Sequence, residues 1–142
     1  MDFRYHSYTE MTAILRNLTS RYPNKSSLIE IGKSQRGKTD NDPCTCRALP
    51  CLGKSLWAVA LSAHSPDKHV LLRPEVKYIG NMHGNEVVGL EVLLYLIEYL
   101  LTSEDAQVVN LMERSRIWIM PSMNPDGLEI SMTGDCMSVT GR

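Results

Sequence analysis

The chain lacks the features that would mark it for nucleic acid. Its 15 Lys and Arg are offset by 16 Asp and Glu, for a formal net charge of −1, and no basic run breaks that balance. Phosphate binding draws its affinity from clustered cations, so this charge pattern argues against a nucleic-acid partner. Aromatics are scarce as well: one Phe, two Trp and six Tyr offer no stripe on which bases could stack. The longest apolar stretch, 87–101, falls short of the ~20 residues needed to span a bilayer. Glu91 and Glu98 interrupt it, seven apart with Tyr95 between them, as a narrow polar stripe on a buried helix would. Met1-Asp2-Phe3-Arg4 leads into polar sequence without the apolar core of a signal peptide. Four cysteines occur, Cys44, Cys46, Cys51 and Cys136, and none stands in Cys-x-x-Cys spacing. An oxidising compartment would permit a disulfide among them, but nothing in the spacing selects a pair.

What is present reads as one α/β domain. A length of 142 residues with 43% hydrophobic and 22% charged residues is enough for a single core. A helix is expected from Tyr8 to about Tyr22, with Met11, Ile14, Leu15 and Leu18 on one face and Pro23 ending it. Strands are expected at 28–31, 56–62, 75–82 and 116–120, and helices at 87–101 and 105–113. Pro121 and the sequence Asn124-Pro-Asp-Gly127 read as a stop and a turn. Strand pairs followed by helices indicate an α/β domain with a mixed sheet, expected to be twisted, to carry helices on both faces and to be incomplete at its C-terminal side. The late methionines Met120, Met123, Met132 and Met137 read as packing residues.

The chemistry concentrates in Tyr78-Ile-Gly-Asn-Met-His83-Gly-Asn-Glu86-Val-Val-Gly89. An imidazole and a carboxylate stand three residues apart where the strand gives way to the helix. His83 at the strand's end and Glu86 in the first helical turn can converge on one ion. Zinc accepts imidazole nitrogen and carboxylate oxygen, and a catalytic site typically takes three protein ligands and a water. The alternative is a turn histidine beside an ordinary first-turn acid favoured by the helix dipole. His64-Ser-Pro-Asp67 has an acid at the same offset but lies in a Pro-containing loop with no helix behind it. It is not expected to bind metal.

Asn81-Met-His-Gly-Asn-Glu-Val-Val-Gly89 closely resembles the zinc motif of metallocarboxypeptidases of the regulatory, carboxypeptidase N/E-like branch. Further segments resemble that branch in the same order: Asp2-Phe-Arg-Tyr-His6, Ile31-Gly-Lys-Ser34, Ser55-Leu-Trp57, Ile119-Met-Pro-Ser-Met-Asn-Pro-Asp-Gly127 and Val139-Thr-Gly-Arg142. The resemblance covers nearly all of residues 2–142 and implies a carboxypeptidase-like fold. It implies Zn²⁺ held by His83 and Glu86 with a third ligand further on, and Arg142 as the group that stabilises the oxyanion. It also implies hydrolysis of single C-terminal residues, Lys or Arg, from peptides and proteins, in the secretory pathway or outside the cell. The general base, the carboxylate clamp and the specificity residue of that family would all follow Arg142, so the chain resembles the first half of a catalytic domain and is expected to be inactive alone. As the last residue, Arg142 is expected to be a disordered terminal charge. Repeats of this family that keep the fold and lose catalysis supply the competing reading, a non-catalytic binding or scaffold module. Leu90 departs from the family, which usually has arginine there, and the change is expected to touch helix packing more than metal binding.

Residues 39–54 fit neither the pattern nor the resemblance. They lie between Gly37-Lys38 and Ser55 and end in a second Gly53-Lys54, and they hold Cys44, Cys46 and Cys51. Deleting them restores the family's hairpin, so they are expected to form an insertion foreign to the fold. Two glycosylation sequons, Asn17-Leu-Thr19 and Asn24-Lys-Ser26, fit a secreted glycoprotein.

Overall fold

The computed structural model describes residues 4–35, 53–64, 66–131, 134 and 140–142. Helix α1, Tyr8–Arg21, begins at a capping box: the Ser7 hydroxyl accepts from the Glu10 N–H while the Glu10 carboxylate accepts from the Ser7 N–H. Met11, Leu15 and Leu18 fall on one face and are buried. Strand β1, Ser26–Lys33, pairs antiparallel with β2, Ser55–Leu61, with a bulge at Ile31 that leaves this side chain 56% exposed. The Ser34 N–H donates to the Lys54 carbonyl at 2.8 Å, extending the hairpin one step past the strands. The expected insertion, apart from Gly53 and Lys54, lies outside the described residues; the two strands that flank it do pair.

Strand β3, Glu75–Ile79, runs into α2, Val88–Thr102, then α3, Ala106–Arg114, then β4, Arg116–Met120. Strands β3 and β4 are parallel, β4 is antiparallel to β2, and the sheet order is β1-β2-β4-β3. This is the mixed α/β sheet that the sequence predicts. A parallel pair needs a helical crossover, which α2 and α3 supply. Helix α2 buries Leu90, Leu93, Leu94, Ile97, Leu100 and Leu101 in one core with Met11 and Leu15 of α1 and with Val59, Leu61, Ile117 and Ile119 of the sheet. Leu90 is fully buried there, where a charged side chain would need a partner.

Three expectations need correction. The third strand ends at Ile79 rather than at residue 82, because Asn81 turns to a positive φ of 50°. Asn124-Pro-Asp-Gly127 is the start of a short helix, α4 (Pro125–Ile130): the Asn124 side chain accepts from the Gly127 N–H, and proline fits the first helical turn. Met120 is buried but Met123 is 46% exposed, so the latter is no packing residue among those described; Met132 and Met137 lie outside them.

Candidate metal centre

The carboxyl ends of the parallel strands β3 and β4 lie side by side, the edge at which open α/β sheets hold ligands. Past the strands the two segments remain laced together. The Gly80 N–H donates to the Met120 carbonyl at 2.9 Å, the Met123 N–H to the Gly80 carbonyl at 3.1 Å, and the Asn124 N–H to the Asn81 carbonyl at 3.1 Å. No side chain fits at Gly80, since a Cβ would lie 2.8 Å from Leu93 Cδ1 and 2.9 Å from the Pro121 carbonyl. His83 is therefore not the strand's last residue, as its spacing suggested. It sits in a separate turn that Asn81 starts and α2 ends.

That turn is held on three sides. The Glu86 N–H donates to the His83 carbonyl at 3.0 Å, closing it on itself. Gly84 presses on the backbone of Gly127 and Leu128 at the start of α4, where any Cβ would overlap both. The Gly84 N–H donates to the Gly141 carbonyl at 2.7 Å. Gly141 has a φ of 88°, a conformation that costs glycine nothing.

The two candidate ligands face each other, with His83 Nδ1 3.1 Å from Glu86 Oε1 and both side chains partly exposed. That separation lets His83 Nδ1 and Glu86 Oε1 serve as donors to one ion. The donor chemistry and the geometry fit half of a zinc site. Among the described residues no cluster of three or more metal donors forms. His64 and Asp67 are both exposed and join no such cluster. Arg142, expected to be a loose terminal charge, has its side chain half-exposed with Nη2 3.8 Å from Glu86 Oε1, next to Gly141, whose carbonyl accepts from the Gly84 N–H.

The sequence reading overlooked two groups. Asn81 is 5% exposed and directs its side chain into the His83–Glu86 turn. Its place before the motif could have signalled a left-handed turn residue, which asparagine tolerates. The second is a buried pair: Glu91 accepts from the His6 N–H at 2.7 Å through Oε1, and its Oε2 lies 2.8 Å from His6 Nδ1. Glu91, read from the sequence as part of a narrow polar stripe, is buried with this partner. No local signal joins residues 85 positions apart.

Residues 51–142 match the zinc carboxypeptidase family, Peptidase_M14. The chain belongs to this family. It is 43% identical to carboxypeptidase D of Mus musculus over 143 residues, covering 99% of this chain and 9% of that protein. To carboxypeptidase M of Mus musculus it is 40% identical over 144 residues, covering 100% of this chain and 29% of that protein. The chain thus spans less than a third of either relative. Among solved structures it is similar to carboxypeptidase A from Helicoverpa armigera, with a TM-score of 0.66 and 28% identity over 87% of this chain and 25% of that one. Thrombin activatable fibrinolysis inhibitor shares the fold, with a TM-score of 0.63 at 20% identity.

Proposed function

We propose that the chain carries the first two zinc ligands, His83 and Glu86, of a metallocarboxypeptidase that removes single C-terminal residues, Lys or Arg, from peptides and proteins. The observation that carries this reading is the 3.1 Å approach of His83 Nδ1 to Glu86 Oε1 at the carboxyl edge of a parallel strand pair, in a chain of this family. When bound, zinc supplies Lewis-acid polarisation of a carbonyl and activation of a water. His83 contributes a neutral nitrogen donor and Glu86 an anionic oxygen. Arg142, a cation 3.8 Å from Glu86, would hold negative charge developing on the substrate oxygen.

Two donors hold an ion weakly, because a catalytic site normally uses three. As a separate polypeptide, the 142-residue chain should therefore bind zinc weakly and release no C-terminal residue. Zinc affinity is measured by competition with a chromophoric chelator, for the chain and for His83→Ala. Binding that the substitution does not change would overturn the ligand assignment. Hydrolysis of a short peptide ending in Lys or Arg, with zinc added and abolished by His83→Ala, would overturn the expected inactivity and refute the reading of the chain as a non-catalytic module.

The reading places the protein in the secretory pathway. Asn24 supports it: the residue is exposed in the turn between α1 and β1, whereas Asn17 lies within α1. Expression in a secreting eukaryotic cell, with mass spectrometry after glycosidase treatment, should find glycan on Asn24. Secreted chain bearing none there would contradict it.

A further inference from the structure

We infer that Asn81 is a positioning residue that sets the His83–Glu86 turn in its ligand geometry, an inference that rests on the zinc reading above. Its Nδ2 donates to three carbonyls of the motif itself: His83 at 3.0 Å, Gly84 at 2.9 Å and Glu86 at 3.3 Å. The amide carries two N–H groups, so three acceptors surround two donors and one contact is shared. Its Oδ1 accepts from the Ser122 hydroxyl at 2.7 Å. Ser122 is 2% exposed and sits on the segment that follows β4. The three carbonyls decide which end of the amide faces the turn, because they can only accept, and the Ser122 hydroxyl then donates to the oxygen at the other end. One buried side chain thus gathers the carbonyls of both prospective ligands and of Gly84 between them, and ties the group to the neighbouring strand's exit.

The plainer explanation of Asn81 is its backbone. At φ 50° a side chain is strained unless it is asparagine, aspartate or glycine. If conformation alone fixed the residue, glycine would serve as well and aspartate nearly so. If the amide is needed, both fail. Glycine removes the amide donor from all three carbonyls, of which only that of His83 keeps another among the described residues, the Glu86 N–H, and aspartate sets an acceptor against them. Groups that orient metal ligands from behind typically govern about 10–100-fold of affinity.

The test compares the chain with Asn81→Gly, Asn81→Asp and Ser122→Ala, using His83→Ala as the floor. Zinc affinity is measured by chelator competition, folding by thermal unfolding, and the turn by amide hydrogen exchange of the metal-free protein. Expected are a 10–100-fold loss of zinc affinity in Asn81→Gly and at least that in Asn81→Asp. The Gly84 and Glu86 amides should exchange at least about tenfold faster, while the amides of α1 stay as protected as in the parent. Ser122→Ala, which leaves the turn's backbone untouched, should show a smaller loss in the same direction and decides the matter if neither Asn81 variant folds. Folded variants that bind zinc and exchange like the parent would overturn the assignment. Should the parent bind zinc no better than His83→Ala, the zinc reading fails by itself. Faster exchange in the Asn81 variants would then still uphold the clamp, and unchanged exchange would sink it.

Discussion

Replacing Glu91 by alanine should be among the most damaging single changes outside the candidate site. Glu91 lies in the first turn of α2, is 8% exposed, and holds residue 6 twice, through the backbone N–H and the imidazole. Alanine leaves both groups buried without an acceptor. An orphaned buried polar group costs about 1–3 kcal/mol, so two cost roughly 2–6 kcal/mol. At about 4 °C per kcal/mol for a domain of this size, the midpoint should fall by roughly 8–24 °C. Glu91→Gln separates hydrogen bonding from charge. Its amide oxygen still accepts from the His6 N–H, and its amide nitrogen can donate to Nδ1 of a neutral ring, so the loss should be near ~1 kcal/mol. The double variant His6→Ala/Glu91→Ala should lose less than the two single losses added, since the partners share one interaction. Urea unfolding followed by circular dichroism measures these three and the His6→Ala single variant. A Glu91→Ala chain within about 1 kcal/mol of its parent would refute the reasoning, and would mean that water reaches the pair.

Gly84→Ala should cost about 1–3 kcal/mol by thermal unfolding and weaken zinc binding, because its Cβ would overlap Gly127 and Leu128. Gly89→Ala, in α2 with nothing within 4 Å of the added Cβ, should instead stabilise by roughly 0.5–1 kcal/mol. The hydrogen bond from Arg4, joined by those from Ser7, holds the Glu10 carboxyl down at about 2 from an ordinary value of 4.5. With the folded pKa below the unfolded one, any stability this group adds is present above the ordinary value and fades as pH falls toward 2. Its side-chain NMR titration should have a midpoint near 2 and move back up in Arg4→Ala. Excising 39–54 to join Lys38 to Ser55 should leave the thermal midpoint unchanged or higher, and a clear drop would show that the segment belongs to the domain.

The helices α1, α2 and α3 were legible because their signals are local. In α1 the spacing of Met11, Leu15 and Leu18 and the closing Pro23 point the same way, and the helix spans Tyr8–Arg21 where Tyr8 to about Tyr22 is expected. The strands β2 and β4 were legible as short apolar runs. The end of β3 was not. Residues 75–82 alternate as a strand would, yet every residue of β3 is exposed, so burial did not shape that pattern. Chain reversal at Asn81 depends on its amide meeting carbonyls ahead of it and a serine 41 residues away. Asn124-Pro-Asp-Gly127 misled in the same way: a turn and a helix start share this signature, and only the hydrogen bonds made beyond Gly127 tell them apart.

His-x-x-Glu spacing alone does not specify the candidate site: His64 and Asp67 have the acid at the same offset, in a Pro-containing loop with no helix behind it. Around His83 the bracing comes from elsewhere in the chain. Ser122 donates to the Asn81 amide oxygen, Gly127 and Leu128 form a floor that only glycine at position 84 can approach, and Gly141 binds the Gly84 N–H. Ser122, Gly127, Leu128 and Gly141 all follow β4, which pairs beside β3. Ligand geometry therefore depends on contacts distant in sequence as well as on the turn's own bonds. The same dependence holds at Arg142: its neighbour Gly141 is bound through the backbone to Gly84, whereas attraction between an exposed cation and the exposed Glu86 carboxylate is worth little in water.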